Sequence, residues 1–179
     1  MKIKLLLIVI CSFSPLLLFG LFIYGNAYYK EYQLPSSETA VKDFLEEFID
    51  RSIRIMHFER IEETNMWLVQ LKSNDDEYGH ARFNKGWNGK LKFMYLATTA
   101  TSVTYRQYKT NKGNYGSLFV HELDSNVAKI KLTNLMSFEK EIEVDTSAPF
   151  IKTFKLPSHV EDTSPAIFTF YDKTGQEIK

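Results

Sequence analysis

An uncharged run near the start of the chain constrains its fold more than any other feature. The run spans Leu5 to Tyr29, and Lys4 and Lys30 stand at its two ends. A bilayer has a hydrocarbon core about 30 Å thick, and a helix needs roughly 20 apolar residues to cross it. The run therefore predicts a transmembrane helix over residues 1–29 that serves as a signal anchor. Its expected partner is the lipid bilayer, through residues 5–29.

The charges on either side of this run predict its orientation. Lys2, Lys4 and the α-amino group precede the run, whereas Lys30 alone follows it closely. Positive residues stay preferentially on the cytoplasmic side of a membrane. The expected location is the cell membrane, in a single pass, with the N-terminus cytoplasmic and the C-terminal domain extracytoplasmic.

A cleaved signal peptide is the alternative interpretation of the same run. The sequence Gly25-Asn26-Ala27 places small residues at the −3 and −1 positions of a cut after Ala27, as signal cleavage sites require. The run is longer than the roughly 7–15 apolar residues of a signal peptide, which favours the retained anchor. The chain would be secreted if it were cleaved after Ala27, so both interpretations export the remainder.

The remainder of the chain has the size of one domain and contains no cysteine. About 150 residues follow the run, which is enough to bury a hydrophobic core. The whole chain carries 22 basic and 22 acidic residues, and this balance does not favour nucleic acid as a partner. The single cysteine, Cys11, lies in the apolar run. The remainder therefore has neither a disulfide nor a thiolate zinc site.

A connector over residues 30–36 leads into an amphipathic helix. Ser36 or Ser37 can cap the start of this helix, and apolar side chains recur at three- and four-residue spacing from Val41 to Ile53. The pattern predicts a helix over residues 37–54 with one face packed against the rest of the domain.

After this helix the hydrophobic period changes from 3.6 to 2, and short alternating segments predict strands. The segments are Met56–Glu63, Met66–Lys72, Tyr78–Asn84, Leu91–Ala97, Val103–Tyr108, Leu118–Leu123, Val127–Leu132, Phe138–Val144, Phe150–Leu156, Ala166–Tyr171 and Gln176–Ile178. We expect about nine or ten short, mainly antiparallel strands with the helix packed on them, which is an α+β fold. Residues 37–179 would form this extracytoplasmic domain, and the polar turn 110–116 would be the seam if it consists of two modules.

Two segments share the pattern Asn-Lys-Gly-x-x-Gly, over residues 84–89 and 111–116. A phosphate-binding loop would need a helix after it to supply aligned N–H groups. Strands are predicted after both segments, so the pattern indicates turns. Trp87 lies at the tip of the first turn and is expected to fold over its own hairpin. The alternatives are stacking on a sugar ring or contact with a membrane.

The side chains that could serve catalysis or metal binding do not form a recognisable motif. The histidines are His57, His80, His121 and His159. No two of them have the close spacing of a metal site. In a strand His80 and Arg82 share a face, whereas His121 and Glu122 point to opposite faces. No catalytic serine motif or zincin motif occurs. We therefore assign no catalytic, cofactor-binding or metal-ligating residue, expect no cofactor, and lean against an enzyme.

Two segments resemble a known group of proteins. Phe83–Lys92, FNKGWNGKLK, resembles the hairpin of uncharacterised small exported or membrane-anchored proteins of Bacillus-type Gram-positive bacteria. Tyr171–Ile178, YDKTGQEI, resembles the ending of the same proteins. The resemblance implies a membrane-attached or secreted protein without an assigned activity, and it carries over no catalytic residue.

Two functional hypotheses fit these patterns. The first is a membrane-anchored extracytoplasmic domain that acts as a binding or regulatory module of the cell envelope, with an envelope protein or the cell wall as its partner. The second is a cell-envelope hydrolase whose site is assembled from separate strands by residues such as His80, Arg82 and His121. Two or more of these would have to meet in a cleft within about 3 Å. Neither hypothesis involves nucleic acid.

Overall fold

The computed structural model begins with two helices and continues as strands. It describes residues 2–134, 138–144, 148–158, 160 and 162–178, with side chains from Leu17 onward. α1 spans Lys2–Glu31 and α2 spans Glu38–Ile49. The strands are β1 (Ile53–Arg60), β2 (Met66–Ser73), β3 (Tyr78–Lys85), β4 (Leu91–Thr99), β5 (Val103–Thr110), β6 (Gly113–Val120), β7 (Val127–Thr133), β8 (Glu139–Glu143), β9 (Phe150–Lys155), β10 (Ile167–Asp172) and β11 (Glu177–Ile178).

The prediction of a transmembrane helix is wrong. Among the described residues, no helix combines the length and the apolar character that a membrane crossing requires. The α+β class is confirmed, with eleven strands in the described part of the chain rather than nine or ten.

α2 begins as predicted and ends earlier than predicted. The Oγ of Ser37 caps its start by accepting a backbone N–H of the first turn. Asp50 ends the helix in the left-handed conformation (φ 54°), with its N–H donated to the carbonyl of Glu46. Ile53, predicted to extend the helix, instead begins β1 and donates its N–H to the Glu46 carboxylate at 2.9 Å.

The strands form three antiparallel sheets. The first sheet has the order β1-β2-β3-β4, the middle sheet β5-β6-β9 and the outer sheet β11-β10-β7-β8. α2 packs on the first sheet, where its Val41 and Leu45 are buried beside Val69 and Phe83. Complete burial of each such aliphatic side chain stabilises the fold by about 1.5–3 kcal/mol.

The middle sheet is covered on both faces, and the side chains of β6 show how. Leu118 and Val120 share a hydrophobic core with Ile130 of the outer sheet. Phe119 points the other way and shares a core with Leu68 of the first sheet. Because successive side chains of a strand face opposite sides, the middle sheet lies between the other two.

Both Asn-Lys-Gly-x-x-Gly segments contain turns between strands, as predicted. Gly89 (φ +78°) lies in the turn from β3 to β4 and donates its N–H to the Gly86 carbonyl at 3.0 Å. Gly113 (φ +121°) pairs with Thr110 where β5 turns into β6. These positive φ angles favour glycine. The seam at residues 110–116 and the division of the chain into 1–29, 30–36 and 37–179 stay predictions.

Candidate functional site

The interface between the first and middle sheets is polar at its centre. In the first sheet Gln70 lies opposite His80, and Leu68 lies opposite Arg82. Alternate residues of a strand share a face, so these side chains lie on the face through which Leu68 packs against the middle sheet. Gln70 and His80 are fully buried. Burial of such groups costs free energy unless they are hydrogen-bonded, and their partners therefore determine the chemistry of the interface.

Arg106 of β5 determines which ring nitrogen of His80 carries the proton. The Nε of Arg106 lies 3.3 Å from the Nε2 of His80. Because an arginine nitrogen can only donate, His80 Nε2 accepts. Burial, and then the charges of Arg106 and His121, lower the pKa of His80 from 6.5 to about 4. At neutral pH the ring is uncharged and carries its proton on Nδ1.

Gln70 determines in the same way which ring nitrogen of His121 carries the proton. The amide nitrogen of Gln70 donates to the Val120 carbonyl at 2.8 Å and to the Nδ1 of His121 at 3.0 Å. The proton of the His121 ring therefore lies on Nε2. Burial lowers the pKa of His121 to about 4, and the ring stacks on Tyr78 with 4.9 Å between centroids.

These tautomers are unsuited to a metal ion. The Nδ1 of His80, the Nε2 of His121 and the Oε1 of Gln70 are buried without a hydrogen-bond partner among the described residues. A metal requires an unprotonated ring nitrogen, and both free ring nitrogens carry protons. Across the described parts of the chain, no three histidine, cysteine or acidic side chains form a group that could hold a metal.

Two tyrosines and two arginines continue the polar interface. The hydroxyls of Tyr95 and Tyr108 lie 2.8 Å apart, and burial raises the pKa of both. The guanidinium of Arg82 lies 5.9 Å from the centre of the Tyr108 ring, and the charges of Arg82 and Arg106 oppose this rise in pKa. Within the described residues no carboxylate forms an ion pair with either arginine. Within these described residues, no direct contact with a carboxylate neutralises their positive charge.

Arg106 also lines a cleft beside β5, the edge strand of the middle sheet. The volume of this β5 cleft is about 660 Å³, within the range of roughly 300–1,000 Å³ that small-molecule sites occupy. Its other lining residues are Gln107, Lys109, Asn114, Ser158, Asp162 and Ser164. The chain after β9 is held beside β5 by the N–H of Thr163, which donates to the Gln107 side chain at 2.9 Å.

A second contact region joins the end of α1 to the β3–β4 hairpin. We call it the aromatic collar, and it consists of Tyr28, Tyr29, Tyr32 and Trp87. The ring of Tyr28 stacks on Tyr32 at 4.4 Å and on Trp87 at 4.9 Å, and its hydroxyl accepts the Trp87 backbone N–H at 2.6 Å. Lys92 and Glu31 form an ion pair at 2.6 Å beside it. Trp87 packs on these tyrosines, so the expectation that it folds over its own hairpin is wrong.

The structure brings His80, Arg82 and His121 to one interface without assembling a catalytic site. His80 and Arg82 share a face, as predicted, and His121 follows the end of β6. No hydrogen bond in the described part of the structure joins two of the three. His80 and His121 are 0% and 1% exposed, so a substrate cannot reach their rings. His57 lies apart, with its Nε2 2.6 Å from the Pro149 carbonyl, and His159 lies outside the described residues.

Sequence reasoning missed Gln70, Arg106 and the Tyr95–Tyr108 pair. One signal was available, since Gln70 is a polar residue inside the otherwise apolar run of β2. Arg106 gave no signal, because His80, its partner, lies 26 residues away on another sheet.

Comparison with family models, with curated proteins and with solved structures finds no match to this chain. The resemblance of Phe83–Lys92 and Tyr171–Ile178 to Bacillus-type exported proteins therefore stays a prediction. The function has to be argued from the residues and surfaces of the structure itself.

Proposed function

We propose that the chain is an extracytoplasmic binding module of the cell envelope that contacts a lipid surface. The observation that carries this proposal is the apolar surface of α1 between Leu17 and Ile23. Its large side chains, among them Leu18 and Phe22, are 53–69% exposed. A contiguous exposed apolar surface marks a contact site. Transfer of this surface from water into an apolar environment is favourable by about 25 cal/mol per Å².

The aromatic collar places the domain directly beside that surface. Tryptophan and tyrosine prefer the boundary between lipid and water, because their rings are apolar and their N–H and O–H groups are polar. Trp87 is 70% exposed and lies against Tyr28 and Tyr29, within two turns of Ile23 on α1. A lipid surface in contact with residues 17–23 would therefore lie next to the β3–β4 hairpin.

The chemistry of the interior favours binding over hydrolysis. His80 and His121 are neutral, buried and engaged by Arg106 and Gln70. A hydrolase built on them would need an accessible general base next to a nucleophile. The β5 cleft instead offers polar and charged side chains on an open edge, which suits recognition of a ligand.

Vesicle flotation of the full chain tests the lipid contact. Leu18 and Phe22 lie four residues apart and therefore on one face of α1. We expect the protein to float with vesicles of phosphatidylglycerol and phosphatidylethanolamine. Leu18→Asp combined with Phe22→Asp should lower the bound fraction at least tenfold, since burial of each original side chain contributes about 1.5–3 kcal/mol.

The matched control variant has the same two negative charges at positions outside α1. Asn126 and Gln176 are exposed, and Asn126→Asp combined with Gln176→Asp should leave flotation unchanged. Equal flotation of the two double variants, or failure of the unaltered chain to float, would contradict the proposal.

A further inference from the structure

We propose that the β5 cleft binds a small organic phosphate, with Arg106 and Lys109 as its cationic groups. The inference goes beyond the lipid contact and does not require it. The described residues that line the cleft belong to β5, to the start of β6 and to the chain after β9, and none of them lies in α1.

Arg106 is oriented for this role before a ligand arrives. Its Nε is held by the Nε2 of His80 at 3.3 Å. A guanidinium has five N–H donors, so the two terminal nitrogens keep four donors in a planar fork. Such a fork matches two oxygens of a phosphate. Because His80 is a neutral acceptor, it orients the guanidinium without neutralising its charge.

The charges that line the cleft favour an anion. Arg106 and Lys109 supply two positive charges, and neither forms an ion pair within the described residues. Among the described lining residues Asp162 is the acidic one, and its carboxylate accepts the Ser164 N–H at 2.9 Å. Arg82 adds a further positive charge in the interface between the first and middle sheets, where its guanidinium lies 5.9 Å from the centre of the Tyr108 ring. A concave surface with an excess of positive charge concentrates anionic ligands.

The neutral donors and the volume of the cleft specify the ligand further. Asn114, Ser158 and Ser164 add uncharged donors to the two cations. A phosphate monoester has three strong acceptor oxygens, whereas a carboxylate has two, so the donor set fits a phosphate better. A cleft of about 660 Å³ is many times larger than the roughly 30 Å³ that one water molecule takes in the liquid. A phosphate ion would therefore fill only part of it. The remaining volume would hold the organic part of the ligand.

Titration calorimetry on the full chain tests the proposal with four probes. Glycerol 3-phosphate should bind saturably and more tightly than inorganic phosphate, and glycerol should not bind. Its affinity should fall as NaCl is raised from low to high concentration, because salt screens exposed charges. Phosphatidylglycerol vesicles distinguish the source of the phosphate. If these vesicles compete with glycerol 3-phosphate, the phosphate that the cleft binds belongs to a lipid headgroup. If they do not compete, it belongs to a free ester.

Substitutions identify the cleft as the binding place. Arg106→Gln should weaken glycerol 3-phosphate binding at least tenfold. Lys109→Gln should weaken it about three- to tenfold, and this exposed side chain has no described contact whose loss would disturb folding. Lys112→Gln is the matched control, because Lys112 is an exposed lysine of the β5–β6 turn that does not line the cleft.

Two results would overturn the inference. One is the absence of saturable binding for both phosphates. The other is an affinity that is the same in the unaltered chain, Lys109→Gln and Arg106→Gln. The variant with Leu18→Asp and Phe22→Asp should bind glycerol 3-phosphate with unaltered affinity, so the lipid proposal and this inference can fail separately.

Discussion

Acid should unfold this protein through His80 and His121, whose rings are buried. The pKa of His80 and of His121 is about 4 in the folded chain, against about 6.5 in an unfolded chain. As the pH falls, the unfolded state binds protons first. The contribution of these two neutral rings to the free energy of unfolding is therefore fully present above pH 6.5. It is lost as the pH falls towards 4. Between pH 7.5 and 5.0 each histidine should remove about 2 kcal/mol from the free energy of unfolding.

Urea unfolding followed by tryptophan fluorescence measures this loss at the two pH values. His121→Gln should lose about 2 kcal/mol less than the unaltered chain between pH 7.5 and 5.0, because glutamine takes up no proton. Phe119→Leu is the matched control. Phe119 lies 4.7 Å from the His80 ring, and its truncation should lower stability by a similar amount at both pH values. A loss in His121→Gln equal to that of the unaltered chain would refute the assignment of His121 as a buried neutral ring.

Three further predictions concern tight contacts and turns. Gly116→Ala should lower the free energy of unfolding by about 1–3 kcal/mol, because the added methyl group would lie 2.5 Å from the Tyr105 hydroxyl; an unchanged urea midpoint would contradict this. Asp50→Gly should raise the free energy of unfolding by up to about 1 kcal/mol, because φ at this position is 54°; a lower urea midpoint would count against it. Trp87→Ala should speed tryptic cleavage after Lys30, since the stacking that holds the end of α1 is lost; mass spectrometry of the fragments would show equal rates if the collar contributes nothing.

Local rules predicted the features that neighbouring residues determine. The cap of α2 at Ser37 follows from the preference of serine for that position, and the turn at Gly86–Gly89 follows from the tolerance of glycine for positive φ. The alternation of side chains along β3 predicted that His80 and Arg82 share a face, because side chains of a strand have a period of two.

Contacts between distant segments could not be predicted in this way. The end of α2 depends on Asp50 adopting a left-handed conformation, which the apolar stripe continuing to Ile53 does not reveal. Trp87 packs on Tyr28, 59 residues earlier in the chain, and His121 meets Gln70 across 51 residues. Such contacts depend on which faces of the sheets meet, and periodicity within one strand does not specify that.

The β5 cleft shows why sequence reasoning assigned no site residue there. The sequence marked histidines as the side chains of interest, since their chemistry is versatile. In the structure His80 serves to orient Arg106, and Arg106 is the group that reaches the cleft. An arginine on an edge strand has no sequence pattern that distinguishes it from the other basic residues of the chain.

The most direct test of the central proposal is the accessibility of the domain in intact protoplasts of a Gram-positive host that expresses the full chain. We expect external protease to digest residues 37–178 while a cytoplasmic marker protein stays intact, and the undigested chain to sediment with the membrane fraction. Protection of these residues in intact protoplasts, with digestion only after lysis, would contradict the proposal of an extracytoplasmic module that contacts a lipid surface.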